Sequence, residues 1–199
     1  TAGWVQRGGT AAYAAEDGAL VGRTVLGERN SFLCPPKEYA DFVLEFEVWV
    51  DPKVNSGVQF RSASRPDYRD GVVHGYQVEI DPSERAWSGG LYDEQRRGWL
   101  ASPKDDPVAR KAFRVGEWNR YRVEAKGDRL RTWVNDVPVS DLRAWLAADV
   151  AAAAPLMGAF TSHDTSIEHA VVHVADDEQA RLAGWLTEQA GEPVEVVGA

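Results

Sequence analysis

The chain has 199 residues, a net charge of -9 and a pI near 5.0. That length suits one domain with a two-layer core, and the acidity excludes the basic stripe that nucleic-acid binding requires. No apolar run approaches the roughly 20 residues of a membrane span, and 44% hydrophobic with 27% charged residues is a globular balance.

The first residue is Thr1 and not methionine, so a removed signal peptide or a trimmed chain is expected to account for the start. AAYAAED, ALVGR and SFLC follow as short strand candidates broken by Gly and Pro. Cys34 is the single cysteine, which rules out an internal disulfide, and in SFLCPP it reads as a small buried hydrophobe. Residues 39–50 form a strong strand, with Phe42, Leu44, Phe46 and Val48 on one side. Residues 58–62 and 76–80 follow, separated by loops over 51–56, 64–73 and 82–90. EWNRYRVEAK and RLRTWV form a hairpin around Gly127-Asp128, and a second tight turn comes at Asn135-Asp136. Many short strands with regular turn signals predict an antiparallel sandwich or jelly roll.

The C-terminal third changes character. Residues 142–154 are alanine-rich and read as a helix, and residues 176–190 as an amphipathic helix with acidic residues in its first turn and Gly191 beyond it. Between them, 157–162 and 167–174 are expected to pair as a hairpin. The expected organisation is therefore a sandwich core over 1–141, with 142–199 adding the last strands and helices to the same domain.

Chemistry concentrates in NSGVQFRS and HGYQVEIDPSERAWSGGLYDEQRRGW. Period two puts Asn55, Gly57, Gln59 and Arg61 on one face of one strand, and Gln77, Glu79 and Asp81 on one face of the next. Polar alternation commonly marks a solvated outer face. Here the face carries amides, carboxylates and an arginine in place of Lys, Ser and Thr, and the loops beside it are aromatic and glycine-rich. Such a surface suits a sugar, with Asn55, His74, Trp87, Tyr92 and Trp99 around its rim. Among the eight tryptophans, Trp87 and Trp99 lie in loop-like sequence where an aromatic platform for a sugar ring is an option, whereas the others read mainly as packing residues.

The ordered set NSGVQFR, GYQVEID, SGGLYDE and GEWNRYRVEAKGDRLRTWVND resembles the 3-keto-disaccharide hydrolase family, a bacterial family of concanavalin A-like jelly rolls. The likeness covers roughly residues 10–141 and decays beyond Asp141. Relative to the usual family pattern, the acid and amide of the third strand are exchanged, with Gln77 where Glu is usual and Glu79 where Gln is usual. GAFTSHD would place His163 at a family histidine. The resemblance implies an all-β, concanavalin A-like jelly-roll β-sandwich, here with a partly helical C-terminal extension. It also implies an extracytoplasmic placement, periplasmic or secreted.

It further implies cleavage of 3-keto-glycosides. A ketone at C3 acidifies the C2 proton, a base removes it, the enolate expels the aglycone from C1, and water adds. Such a site needs a base near C2, a cation or strong donors at the enolate oxygen, and an acid for the leaving group. Glu79 or Asp81 is the candidate base, Arg61 the cation, and Tyr92 or His163 the proton donor. Asn55, Gln59, His74, Gln77, Trp87, Tyr92 and Trp99 are the candidate sugar contacts. Arg61 is equally readable as a structural partner of Glu79. No cofactor or metal is implied: the H-x-x-x-H of His169 and His173 falls on no convincing helix, and on a strand the two would point alike, which is a weak metal signal that is not adopted. The partner is a carbohydrate, with no nucleic acid and no membrane span.

Two alternatives stand beside this reading. A glycosidase acting through a carboxylate pair needs its two acids about 5–10 Å apart, and Glu79 and Asp81 on one strand would be about 6.5 Å apart. A non-catalytic carbohydrate-binding module needs only the aromatics and amides.

Overall fold

The alternation in FVLEFEVWV turns Leu44, Phe46, Val48 and Val50 to one side of the strand Phe42–Val50, and all four are buried. Packed with them are Val58 and Phe60 from Ser56–Ala63, and Tyr76, Val78 and Ile80 from His74–Ile80. Phe46 stacks on Tyr121 with ring centroids 5.1 Å apart, and Phe60 on Tyr76 at 5.8 Å. Burial at about 25 cal/mol per Å² of apolar surface is what holds the two layers face to face.

The computed structural model describes residues 4–16, 18–35, 39–143, 159–160 and 170–174. Among them, strands numbered in chain order form two seven-stranded sheets whose pairings are antiparallel. Side by side, the first sheet holds β1 (Val5–Gly8), β4 (Ser31–Cys34), β13 (Ala159–Phe160), β6 (Ser56–Ala63), β7 (His74–Ile80), β8 (Leu91–Glu94) and β9 (Gly98–Ala101). The second holds β12 (Val137–Arg143), β11 (Arg129–Val134), β10 (Asn119–Lys126), β5 (Phe42–Val50), β14 (Ala170–Val174), β3 (Ala19–Arg23) and β2 (Ala12–Glu16). The chain crosses repeatedly between the sheets, as in a jelly roll.

The expected helical extension is corrected. Among the described residues there is no α-helix, only short 3-10 turns at Arg69–Gly71 and Ala109–Lys111. Leu142 and Arg143, which open the expected first helix, instead end β12, opposite Leu130 and Arg129. Leu142 packs against the main core there, so tertiary burial decides the strand state at this position. The remainder of that segment and residues 176–190 lie outside the described residues. The expected hairpin of 157–162 with 167–174 is also corrected. Ala159–Phe160 sits between β4 and β6 in the first sheet, and Ala170–Val174 between β3 and β5 in the second. Each fills a slot between strands distant in sequence, a choice that local alternation does not encode.

Candidate functional site

The site lies on the face of the first sheet that is turned away from the core. In β7, Tyr76, Val78 and Ile80 point inward, so the pleat puts Gln77 and Glu79 on the opposite side. In β6, Val58 and Phe60 point inward, which puts Gly57 and Gln59 outward, directly opposite Glu79 and Gln77 in the ladder. Pairing then slips. Phe60 faces Tyr76 and Ala63 faces His74, so Arg61 and Ser62 together oppose Gly75, and Arg61 has a φ of 46°. This is a β-bulge, and it reverses the alternation.

The bulge removes Arg61 from the site. Its side chain turns to the edge of the sandwich, where Nη1 donates to the Gly127 carbonyl at 2.6 Å and Nη2 to Asp41 Oδ1 at 3.1 Å. Nε and Nη2 both donate to the Ala40 carbonyl. Arg61 therefore ties the bulge to the start of β5 and to the β10–β11 turn. Ser62 takes its place on the outer face and donates from Oγ to Gln59 Oε1 at 2.7 Å.

Glu79 is the centre of the constellation. It is 4% exposed, and its carboxylate accepts from Asn55 Nδ2 on Oε1 at 2.8 Å and from Gln77 Nε2 on Oε2 at 2.8 Å. Gly57 opposite makes this possible, because a Cβ there would stand 2.6 Å from the Gln77 side chain. The exchange of acid and amide relative to the family pattern is accommodated locally, since Gln77 and Glu79 are bonded to each other. The main chain of Glu79 is held as well, through Glu79 N to Gly90 O at 2.9 Å and Gly89 N to Glu79 O at 2.8 Å.

A cation stands beside it after all, from a residue the sequence reading missed. Arg85 Nη2 donates to Glu79 Oε1 at 2.9 Å and its Nε to Asp81 Oδ2 at 2.7 Å. The guanidinium lies 5.1 Å from the Trp87 ring centroid and 5.0 Å from that of Trp99. Two carboxylates and two aromatic rings thus fix it, with the side chain still 41% exposed. The available signal was Asp81 four residues before an arginine, in a loop flanked by tryptophan. An irregular loop has no period from which to read such a contact.

Asp81 organises this loop. Its Oδ1 accepts from the Ser83 amide at 3.2 Å and hydroxyl at 2.6 Å, and its Oδ2 from Arg85 Nε and the Trp87 amide. Burial alone would raise its pKa, but the Ser83 and Arg85 hydrogen bonds, the Arg85 charge and the Trp87 amide together hold it below the ordinary value. Glu79 is shifted the other way. Burial raises its pKa more than the bonds from Asn55 and Gln77 and the Arg85 charge lower it. Two adjacent carboxylates with pKa values pushed apart are a recurrent basis for dividing acid–base roles.

Over these residues opens a cleft of about 530 Å³, walled by Asn55, Gln77, Glu79, Arg85, Tyr92 and Trp99. That volume lies in the range of small-ligand sites, about 300–1,000 Å³. Tyr92 pairs with Gln77 across the ladder and meets Trp99 edge-on at 5.1 Å. Burial raises the Tyr92 pKa, helped by the negative charges of Glu94 and Glu79.

Of the expected site residues, the structure brings together Asn55, Gln77, Glu79, Asp81, Tyr92 and Trp99. The other five need correction or lie elsewhere. Arg61 faces the opposite edge, as described. Gln59 is fully buried beneath Gln77, so it supports the site without lining the cleft. His74 shares the pleat face of Tyr76, not that of Gln77. Its Nδ1 bonds to the Val72 carbonyl, and its ring lies 3.9 Å from that of Tyr68. Trp87 stands behind Arg85, edge-on to Trp99 at 4.8 Å, and acts as a backing for the guanidinium. His163 lies outside the described residues.

The sequence matches the family of 3-keto-alpha-glucoside-1,2-lyase-like domains over residues 1–169. The chain belongs to that family. The match reaches further at both ends than the motifs between residues 10 and 141. No curated protein is similar enough to match. Among solved structures, the carbohydrate-binding module CBM66 from Bacillus subtilis overlays with a TM-score of 0.59 at 18% identity, covering 86% of this chain and 93% of that one. A Bacillus subtilis protein of unknown function with a galectin-like fold gives 0.58 at 14% identity, covering 86% of each chain. A laminarinase from Flavobacterium sp. UMI-01 gives 0.54 at 10% identity, covering 87% of this chain and 93% of that one. At these identities the likeness is one of fold. This member of the lyase-like family thus shares its jelly roll with both a binding module and a laminarinase.

Proposed function

We propose that the cleft binds a carbohydrate and that Glu79 removes the C2 proton of a 3-keto-glycoside held there. The observation that supports this reading is the condition of Glu79. It is a nearly buried carboxylate with a raised pKa, oriented by three donors, one of them a guanidinium, at the bottom of an open cleft. Oε1 accepts twice and Oε2 once, which leaves a lone pair on Oε2 for the substrate proton.

Transfer of the C2 proton to Oε2 leaves an enolate whose charge rests on the C3 oxygen. Arg85, already fixed over the carboxylates, supplies donors to that oxygen. When the C3 carbonyl re-forms, the C2 electron pair makes the C1=C2 bond and the C1–O bond to the aglycone breaks. Tyr92, kept protonated by burial, donates a proton to the departing oxygen. Addition of water across C1=C2 completes a net hydrolysis. Asn55 and Trp99 offer the amide and the ring face that bind sugar hydroxyls and C–H surface.

A second reading, a non-catalytic binding module, is favoured by the saturation of Asp81 with four hydrogen bonds and by the fold shared with CBM66. The same saturation argues against a carboxylate-pair glycosidase, which needs Asp81 to act opposite Glu79. The test incubates the protein with a chromogenic glucoside and with its 3-keto form. Release from the keto form alone, with deuterium exchange at C2, supports the eliminating mechanism. Equal release from the unoxidised glucoside points to the carboxylate pair, and sugar binding without release from either points to the module.

A further inference from the structure

Beneath Glu79 runs a file of buried polar side chains, of which the proposed chemistry uses only the Gln77 end. Ser62 is 1% exposed, Gln59 0% and Gln77 3%. Ser62 Oγ donates to Gln59 Oε1 at 2.7 Å, Gln59 Nε2 to Gln77 Oε1 at 3.1 Å, and Gln77 Nε2 to Glu79 Oε2 at 2.8 Å. Two glycines opposite leave the space, for a Cβ at Gly57 would meet Gln77, and one at Gly75 would stand 2.3 Å from Ser62 Oγ.

The sense of this file is dictated by charge. An ionised carboxylate only accepts, so Gln77 must present its NH₂ to Glu79 and its oxygen to Gln59. Gln59 is then oriented in turn, with its oxygen toward the Ser62 hydroxyl. The opposite sense is equally complete. Once the acquired proton turns about the C–Oε2 bond from the cleft toward Gln77, Glu79 donates to Gln77 Oε1, Gln77 Nε2 donates to Gln59 Oε1, and Gln59 Nε2 donates to Ser62 Oγ. The Ser62 hydrogen then has two other acceptors within reach, the Phe60 carbonyl at 3.0 Å and the Tyr76 carbonyl at 3.3 Å. A hydroxyl that both donates and accepts closes the file in either state.

We infer that Ser62, Gln59 and Gln77 form a reversible hydrogen-bond file that lets Glu79 gain and release a proton without stranding a buried polar group. They are positioning residues, acting on the substrate only through Glu79. Leaving one such group unsatisfied would forfeit its hydrogen bond in a site closed to water and so oppose each proton transfer to a nearly buried carboxylate. The charged and titratable neighbours of Glu79 are Arg85, Asp81, Tyr92 and, across the core, Tyr121. None of these belongs to the file. The inference deepens the reading of Glu79 as a base, but the inversion can be observed in the absence of substrate.

The Glu79→Gln variant tests it. Asn55 and Arg85 both donate to the Oε1 position, so the new amide must place its oxygen there and its NH₂ toward Gln77, imitating the protonated acid. NMR of the wild-type protein at about pH 8 should show nuclear Overhauser contacts from the Gln59 side-chain amide protons to Gln77. In Glu79→Gln those contacts should pass to the Ser62 β-protons. Wild-type protein titrated through the Glu79 carboxyl-carbon midpoint should show the same exchange, which covers a variant that fails to fold. Gln59 contacts that stay on Gln77 in both comparisons overturn the inference. If the exchange is seen but no keto-glycoside is cleaved, the file stands and the catalytic reading fails.

Discussion

Arg85 Nη2 lies 2.9 Å from Glu79 Oε1, and no other arginine among the described residues bonds to that carboxylate. Arg61, two positions beyond Gln59 on the adjacent strand, is turned away by a single extra residue in β6. The two arginines have therefore exchanged the roles that strand periodicity suggests. One is a cleft residue held by a loop, and the other is a buried tie between sheets.

That exchange separates two variants. Arg85→Lys keeps a charge but loses the planar fork that spans two carboxylates and faces two rings. We expect it to lower kcat/KM on a 3-keto-glycoside about 100-fold, the scale of losing a transition-state donor. Arg61→Ala should leave kcat/KM within about twofold while lowering stability by about 1–3 kcal/mol, because the Ala40 and Gly127 carbonyls lose their donors. Steady-state kinetics with chemical denaturation of both variants checks this, and a catalytic loss in Arg61→Ala at unchanged stability would contradict it.

Glu79 carries a pH signature that needs no substrate. Its folded pKa lies above the ordinary 4.5, chiefly through burial. A raised carboxyl pKa gives stability that is fully present below the unfolded value and lost as pH rises through the folded one. Glu79→Gln cannot titrate, so its melting temperature relative to wild type should climb as pH increases from about 4 to 8. Thermal melts across that range decide the point, and a relative stability that falls with pH would rule the shift out.

Asp81 should behave with the opposite sign. Its pKa is held below the ordinary 3.8, so its contribution is present above that value and lost as pH falls through the lower folded one. Asp81→Asn should cost about 2 kcal/mol near neutral pH, since two backbone amides, Ser83 and Arg85 lose a charged acceptor. The gap to wild type should close in strong acid. Loss of sugar binding should accompany it, because the loop bearing Arg85 is released. An Asp81→Asn protein that binds and melts like wild type would remove Asp81 from this role.

Gly57→Ala tests the close approach of the two central strands. The added methyl would stand 2.6 Å from the Gln77 side chain and 2.8 Å from the Val78 carbonyl oxygen. Overpacking of this kind costs about 1–3 kcal/mol, and the displaced Gln77 amide would no longer orient Glu79. We expect a lower melting temperature together with weaker sugar binding. Wild-type values for both would mean that the ladder opens freely at Gly57.

By itself the sequence determined the sandwich and the working face of β7. The alternation of Phe42–Val50 and His74–Ile80 leaves one way to bury Phe46, Val48, Tyr76 and Val78, and that choice sends Gln77 and Glu79 outward together. Period two is a local property, so it is legible residue by residue. Only the tertiary structure decided the rest. The bulge at Arg61 and Ser62 depends on pairing with Gly75 and on acceptors at Ala40, Asp41 and Gly127 contributed by other parts of the fold. Arg85 is placed by a loop folding back on Asp81 and between two tryptophans, contacts with no periodic trace in the chain. The short strands Ala159–Phe160 and Ala170–Val174 are assigned to different sheets by slots between distant strands. Alternation tells a strand which way its side chains point, whereas the cation, the bulge and the last strands are set by partners far away in sequence.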